Sequence, residues 1–112
     1  MRVKLMNSSM MPHEGIYVTK KITKDRFCEE LKKAYTNGIL DSYIGYPNNV
    51  KLIKEWTGIN VPLSRDTTIL EDGDVMIVMK LKGRLPDPNM KGSTTFAEED
   101  FEFFYVQYKK FM

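Results

Sequence analysis

Ile44-Gly45-Tyr46-Pro47-Asn48-Asn49 opens an amphipathic helix, and Val75-Met76-Ile77-Val78-Met79-Lys80-Leu81, behind the turn Glu71-Asp72-Gly73-Asp74, is the most apolar strand candidate. Pro47 suits a first helical turn, and Val50, Ile53 and Trp56 or Thr57 follow at the spacing of one helix face. Gly58 closes that helix, and Pro62 limits 59–64 to a loop or an edge. Asp66 to Leu70 reads as a strand, so the acidic turn predicts a β-hairpin of 66–70 with 75–81.

Outward from this stretch the same two periods recur. Arg2 to Asn7 alternates, with Val3 and Leu5 against Arg2 and Lys4, as a half-buried strand does. Gly15 to Ile22 alternates again. Thr23 is a candidate N-cap, and Phe27, Cys28, Leu31, Ala34 and Tyr35 share one face of a helix over 24–36 that Asn37-Gly38 stops. Ile39 to Ile44 reads as a short extended connection. Thr95-Phe96-Ala97-Glu98 matches a capping box and predicts one short helical turn. Phe101 to Tyr108 alternates aromatic and polar residues as a last strand. The expected fold is α/β: one domain over residues 1–112, a mixed five-stranded sheet with helices mainly on one face.

Composition excludes several classes. Hydrophobic residues make up 42% and charged residues 29%, as in an ordinary globular domain. A net charge of +2 is too small for a protein that coats long nucleic acid, yet it suits a compact anion held by a few placed cations. The single cysteine, Cys28, rules out an intramolecular disulfide and a Cys-cluster zinc site, and its place on an apolar face predicts a buried, inert thiol. No apolar run approaches the ~20 residues of a membrane helix. The N-terminus starts as an alternating strand without a secretory leader. No membrane partner, no metal and no cofactor are expected, and the location is expected to be cytoplasmic.

Three features could carry chemistry. Arg84 follows the apolar strand and precedes Leu85-Pro86, so the sheet fixes its position while its head is free. In an antiparallel hairpin the start of one strand lies near the end of the next, which would bring Arg65 to the same edge as Arg84. Two planar guanidinium forks suit a phosphodiester better than lysines do. The turn before the second helix offers unsatisfied amides and a favourable dipole to an anion, with Gly45 allowing close approach. Equally, Asn48 or Asn49 could merely cap that helix. Asn7, Ser8 and Ser9 end the first strand, where hydroxyl and amide groups either meet a phosphate or ribose or simply form a turn. His13, the sole histidine, reads as a solvated loop residue.

Taken together, Asn7, Ser9, the turn at Tyr46, Arg65 and Arg84 resemble the small viral ring nucleases that act as type III anti-CRISPR proteins. Members of that family bind and cleave cyclic tetra-adenylate as two-fold homodimers. The resemblance implies the mixed five-stranded sheet and a groove between subunits, and matches Arg65 and Arg84 to the family's arginines and Asn7 and Ser9 to its Asn and Ser. Lys80 stands where some relatives have a glutamine, and Asp87 where some have a glutamate.

One departure decides how far function carries over: the family's catalytic histidine position holds Tyr46. In the family a ribose 2′-hydroxyl attacks the adjacent phosphate without metal, the histidine protonates the leaving 5′ oxygen, and an arginine balances the charge on phosphorus. General acid help is worth about 10²–10⁴-fold. A phenol is a poorer proton source near neutrality, but its ring can stack on an adenine. The expectation is therefore a homodimer that binds and sequesters the cyclic oligonucleotide through Asn7, Ser9, Gly45, Asn48, Arg65, Lys80 and Arg84. The alternatives are a slow ring nuclease with Tyr46, Arg84 and Asp87 as catalytic residues, and a protein-interaction module that docks a partner on the Phe101–Tyr108 strand.

Overall fold

The computed structural model describes residues 2–7, 14–64, 70–82 and 98–110. The elements run β1 (Val3–Met6), β2 (Ile16–Ile22), α1 (Lys24–Thr36), β3 (Leu40–Tyr43), α2 (Pro47–Thr57), β4 (Val75–Leu81), a 3-10 turn (Glu98–Asp100) and β5 (Phe101–Lys109). They form a five-stranded mixed sheet of order β2-β5-β4-β1-β3. β1 pairs in parallel with β3 and with β4, and β5 pairs antiparallel with β4 and with β2.

Local chemistry sets the boundaries. The Thr23 side chain accepts from the Arg26 N–H at 3.2 Å, and Gly38 leaves α1 at φ 69°, as the sequence predicts. The alternation of each strand then sorts side chains between two layers. Val3, Leu5, Val75, Ile77, Met79, Phe101 and Phe103 pack under Phe27 and Leu31 of α1 and Ile53 of α2. Phe27 and Phe103 rings stand 5.0 Å apart, and Trp56 meets Phe103 edge-on at 5.9 Å. On the face away from α1 and α2, Met6, Met76, Val78, Val106 and Tyr108 form a smaller cluster with Leu70. Both helices thus cover one face, as expected.

The strand inventory differs from the expectation in one exchange. Leu40–Tyr43, read as a connection, is a parallel edge strand. The expected hairpin of 66–70 with 75–81 is not part of this sheet. Leu70 is buried outside any strand, residues 66–69 lie outside the described ones, and β1 and β5 already occupy both edges of β4. The acidic turn is real, closed by Asp74 N–H donating to the Glu71 carbonyl at 3.0 Å.

Two further expectations concern the core. β5 runs between β2 and β4 with Phe101, Phe103, Val106 and Tyr108 buried, so much of the aromatic strand packs in the core. Cys28 is buried, and burial pushes its thiol above the ordinary range, as for an inert packing residue. Among the described residues no helix is long and apolar enough to cross a membrane.

Candidate functional site

Three adjacent parallel strands, β4, β1 and β3, end at one edge of the sheet. Met6 and Tyr43 end β1 and β3 opposite each other, and β4 runs on past their level from Val78 to Leu81. Carboxyl ends of parallel strands are where open α/β sheets bind ligands, because the helices that follow aim their N-termini there. Asn7 follows β1 directly and is half-buried. Ile44-Gly45-Tyr46 follows β3, with Ile44 and Gly45 buried. Lys80 is exposed near the end of β4, opposite Glu102. The structure thus brings Asn7, Gly45, Tyr46, Asn48 and Lys80 to one edge.

Ser9, Arg65, Arg84 and Asp87, together with Ser8 and His13, lie outside the described residues. The hairpin expected to bring Arg65 to the edge of Arg84 is not in this sheet, since β4 pairs with β1 and β5. The described chain does lead toward this edge before Arg65: the Ser64 N–H donates to the Ile44 carbonyl at 2.9 Å. No periodicity marks that contact in the sequence, since it is a single bridge across a loop containing Pro62.

The opening of α2 is unusual in its polar bookkeeping. Tyr46 is the N-cap, extended at φ −115° and ψ 124°, and its side chain makes no capping hydrogen bond. Its carbonyl accepts from the N–H groups of Asn49 at 3.1 Å and Val50 at 3.3 Å. Pro47 has no N–H to offer, and no acidic residue stands in the first turn to answer the positive end of the dipole. Neither asparagine does the capping that the sequence left open. Asn49 is buried, 2% exposed, and the Nδ2 of Asn48 is buried with no hydrogen-bond partner among the described residues. A buried unmet amide costs about 1–3 kcal/mol, a cost that a bound acceptor would remove.

A second charged group, absent from the sequence reading, lies across β1 and β3. Arg2 Nε and Nη2 donate to Asp41 at 2.8 and 2.7 Å, and Lys4 Nζ donates to the same carboxylate at 2.9 Å. Hydrogen bonds from Arg2, joined by those from Lys4, hold the Asp41 carboxyl at about 2, well below its ordinary value. These groups satisfy one another and clamp the two strands. Among the described residues no cluster of His, Cys, Asp or Glu is placed to hold a metal ion.

The STIV B116-like family model matches residues 3–104. Among solved structures, B116 of Sulfolobus turreted icosahedral virus (STIV) is similar, with a TM-score of 0.74 and 18% identity over 94% of this chain and 97% of that one. At that identity the likeness concerns the fold. No curated protein matches the chain in sequence. With nearly its whole length under the family model, the chain belongs to the STIV B116-like family.

Proposed function

We propose that this protein binds a cyclic oligonucleotide second messenger, cyclic tetra-adenylate or a relative, in a groove shared by two copies, and sequesters it to suppress host antiviral signalling. The observation that carries the reading is the start of α2, just after β3, where the N-cap side chain makes no capping hydrogen bond and Asn48 Nδ2 is buried without a partner among the described residues. Phosphate oxygens are the acceptors such an end favours. Asn7 and Lys80 add donors at the same edge, Gly45 lets the backbone approach the ligand closely, and Ser9, Arg65 and Arg84 supply the remaining hydroxyl and guanidinium contacts. A closed ring with repeating phosphates suits a homodimer, because each copy offers the same donors to half of the ring. Kinship with a protein of a virus fits the role in defence evasion.

The runner-up is a slow, metal-independent ring nuclease. In it Tyr46 donates a hydrogen bond to the departing 5′ oxygen, Arg84 balances charge on phosphorus, and Asp87 assists. The position of Tyr46 at the mouth of α2 favours keeping this reading beside the first.

A thermal-shift panel of cyclic oligonucleotides and dinucleotides tests binding, since a ligand of the folded form raises its melting temperature. The expected result is a rise with a cyclic oligoadenylate that Arg84→Ala abolishes. Single-turnover incubation then separates the readings: the natural protein should leave the ring closed, and Tyr46→His should open it. A natural protein as fast as the variant sinks the sequestration reading, and a flat panel sinks both.

A further inference from the structure

A cavity of about 550 Å³ runs between Leu40–Tyr43 and the segment 60–64, with Tyr35 of α1 contributing to its wall. It follows the outer edge of β3, the last strand of the sheet. Val3 stands opposite Leu40 and donates its N–H to the Ile39 carbonyl at 2.8 Å. In a parallel ladder alternate residues face the neighbour. Ile39 and Asp41 therefore face β1, and the N–H and C=O groups of Leu40 and Ser42 face outward.

Ile44 obeys the same alternation, since its outward carbonyl accepts from the Ser64 N–H at 2.9 Å. This outer ladder stops one step later for a covalent reason. Its next bond would run from residue 62 to the Ser42 carbonyl, and Pro62 has no N–H. Instead the Ser42 hydroxyl donates to the Pro62 carbonyl at 3.0 Å. Leu40 C=O and Ser42 N–H are left side by side without a protein partner among the described residues.

We propose that this edge is a nucleobase slot: Leu40 C=O accepts from an exocyclic amine, and Ser42 N–H donates to the adjacent ring nitrogen. An outward carbonyl and the N–H two residues on form an acceptor–donor pair that matches the amine and ring nitrogen on the Watson–Crick edge of adenine. Tyr35, 57% exposed, supplies an uncovered ring for stacking, and Leu63, 52% exposed, adds an apolar wall. A purine fits the volume, as ligand pockets run about 300–1,000 Å³. An added peptide strand fits worse, because the Pro62 stop leaves a ladder of only Leu40 and Ser42. The slot uses nothing from the opening of α2, so it stands or falls apart from the proposed function.

Adenosine titrated into the ¹⁵N-labelled full chain should shift the amide resonances of Ser42 and Tyr35. 1-Methyladenosine, whose Watson–Crick edge is blocked, should not shift them. Tyr35→Ala, a change at an exposed position, should weaken adenosine binding about fivefold or more. Equal responses to both nucleosides, shifts confined to 44–50, unaltered binding by Tyr35→Ala, or larger shifts with an extended tetrapeptide would each overturn the slot.

Discussion

Lys4 of β1 and Asp41 of β3 are direct partners in a parallel register, and their charged heads meet at 2.9 Å across the strand pair. Parallel pairing of a four-residue edge strand is weak by itself, so this contact and the fork of Arg2 onto the same carboxylate hold β3 in the sheet. The Lys4 side chain is only 9% exposed, whereas that of Arg2 is 45% exposed. The first pair therefore resists salt better than the second.

Asp41→Asn should lower stability by about 1–2 kcal/mol, between the values for exposed and buried pairs. The pH dependence has a definite sign. Asp41 falls from 3.8 to about 2 in the fold, so its contribution is complete above its usual value and is lost as pH drops through about 2. Urea midpoints of both proteins measured across this range should converge at the acid end. A constant gap at every pH would remove the carboxylate from the explanation.

Gly15 is held against β5. A Cβ added there would overlap the Tyr108 ring and stand 2.7 Å from the Lys109 carbonyl, and φ is +157°. The Tyr108 hydroxyl is fixed in turn, donating to the Glu14 carbonyl at 2.6 Å, so the ring has little room to retreat. Gly15→Ala should cost about 1–3 kcal/mol, visible as a lower melting temperature. An unchanged melting temperature would show that β2 shifts freely on β5.

Phe27 is fully buried where α1 meets the sheet, against Phe103 at 5.0 Å. Phe27→Ala should cost about 3–5 kcal/mol in chemical denaturation, a large share of the stability of a domain this size. A loss under about 1 kcal/mol would mean that Trp56 and Phe101 close the gap.

Elements whose cause is local were legible in the sequence. Thr23, Asn37 and Gly38 bound α1, Pro47 and Gly58 bound α2, the runs at 16–22 and 101–109 became strands because alternation and β-branched or aromatic residues specify them, and 75–81 did so through its continuous apolar run. The partner of β4 was not legible. Asp66–Leu70 is adjacent in sequence and carries a good turn, but Val75 pairs instead with Val3 and Gln107. Such long-range pairing depends on burial over the whole sheet and leaves no local mark. Leu40-Asp41-Ser42-Tyr43 was missed for a related reason, since a short edge strand with a charge paired across the sheet shows no clean alternation. The site was half legible. The turn at Gly45-Tyr46 could be read as an anion end, whereas the unmet amide of Asn48 depends on what surrounds it.

Asn48 offers the sharpest separation of binding from structure. A capping asparagine replaced by alanine costs about 1 kcal/mol. Here the N-cap side chain makes no capping bond and Asn48 Nδ2 has no partner among the described residues, so Asn48→Ala removes an unmet donor and should leave stability equal or slightly higher. The same change should weaken a cyclic oligoadenylate by about fivefold or more, the loss of one hydrogen bond to a charged acceptor. Paired melting curves with and without ligand measure both effects. A less stable variant with unchanged affinity would make Asn48 a structural residue, and the anion site would then have to be sought away from the opening of α2.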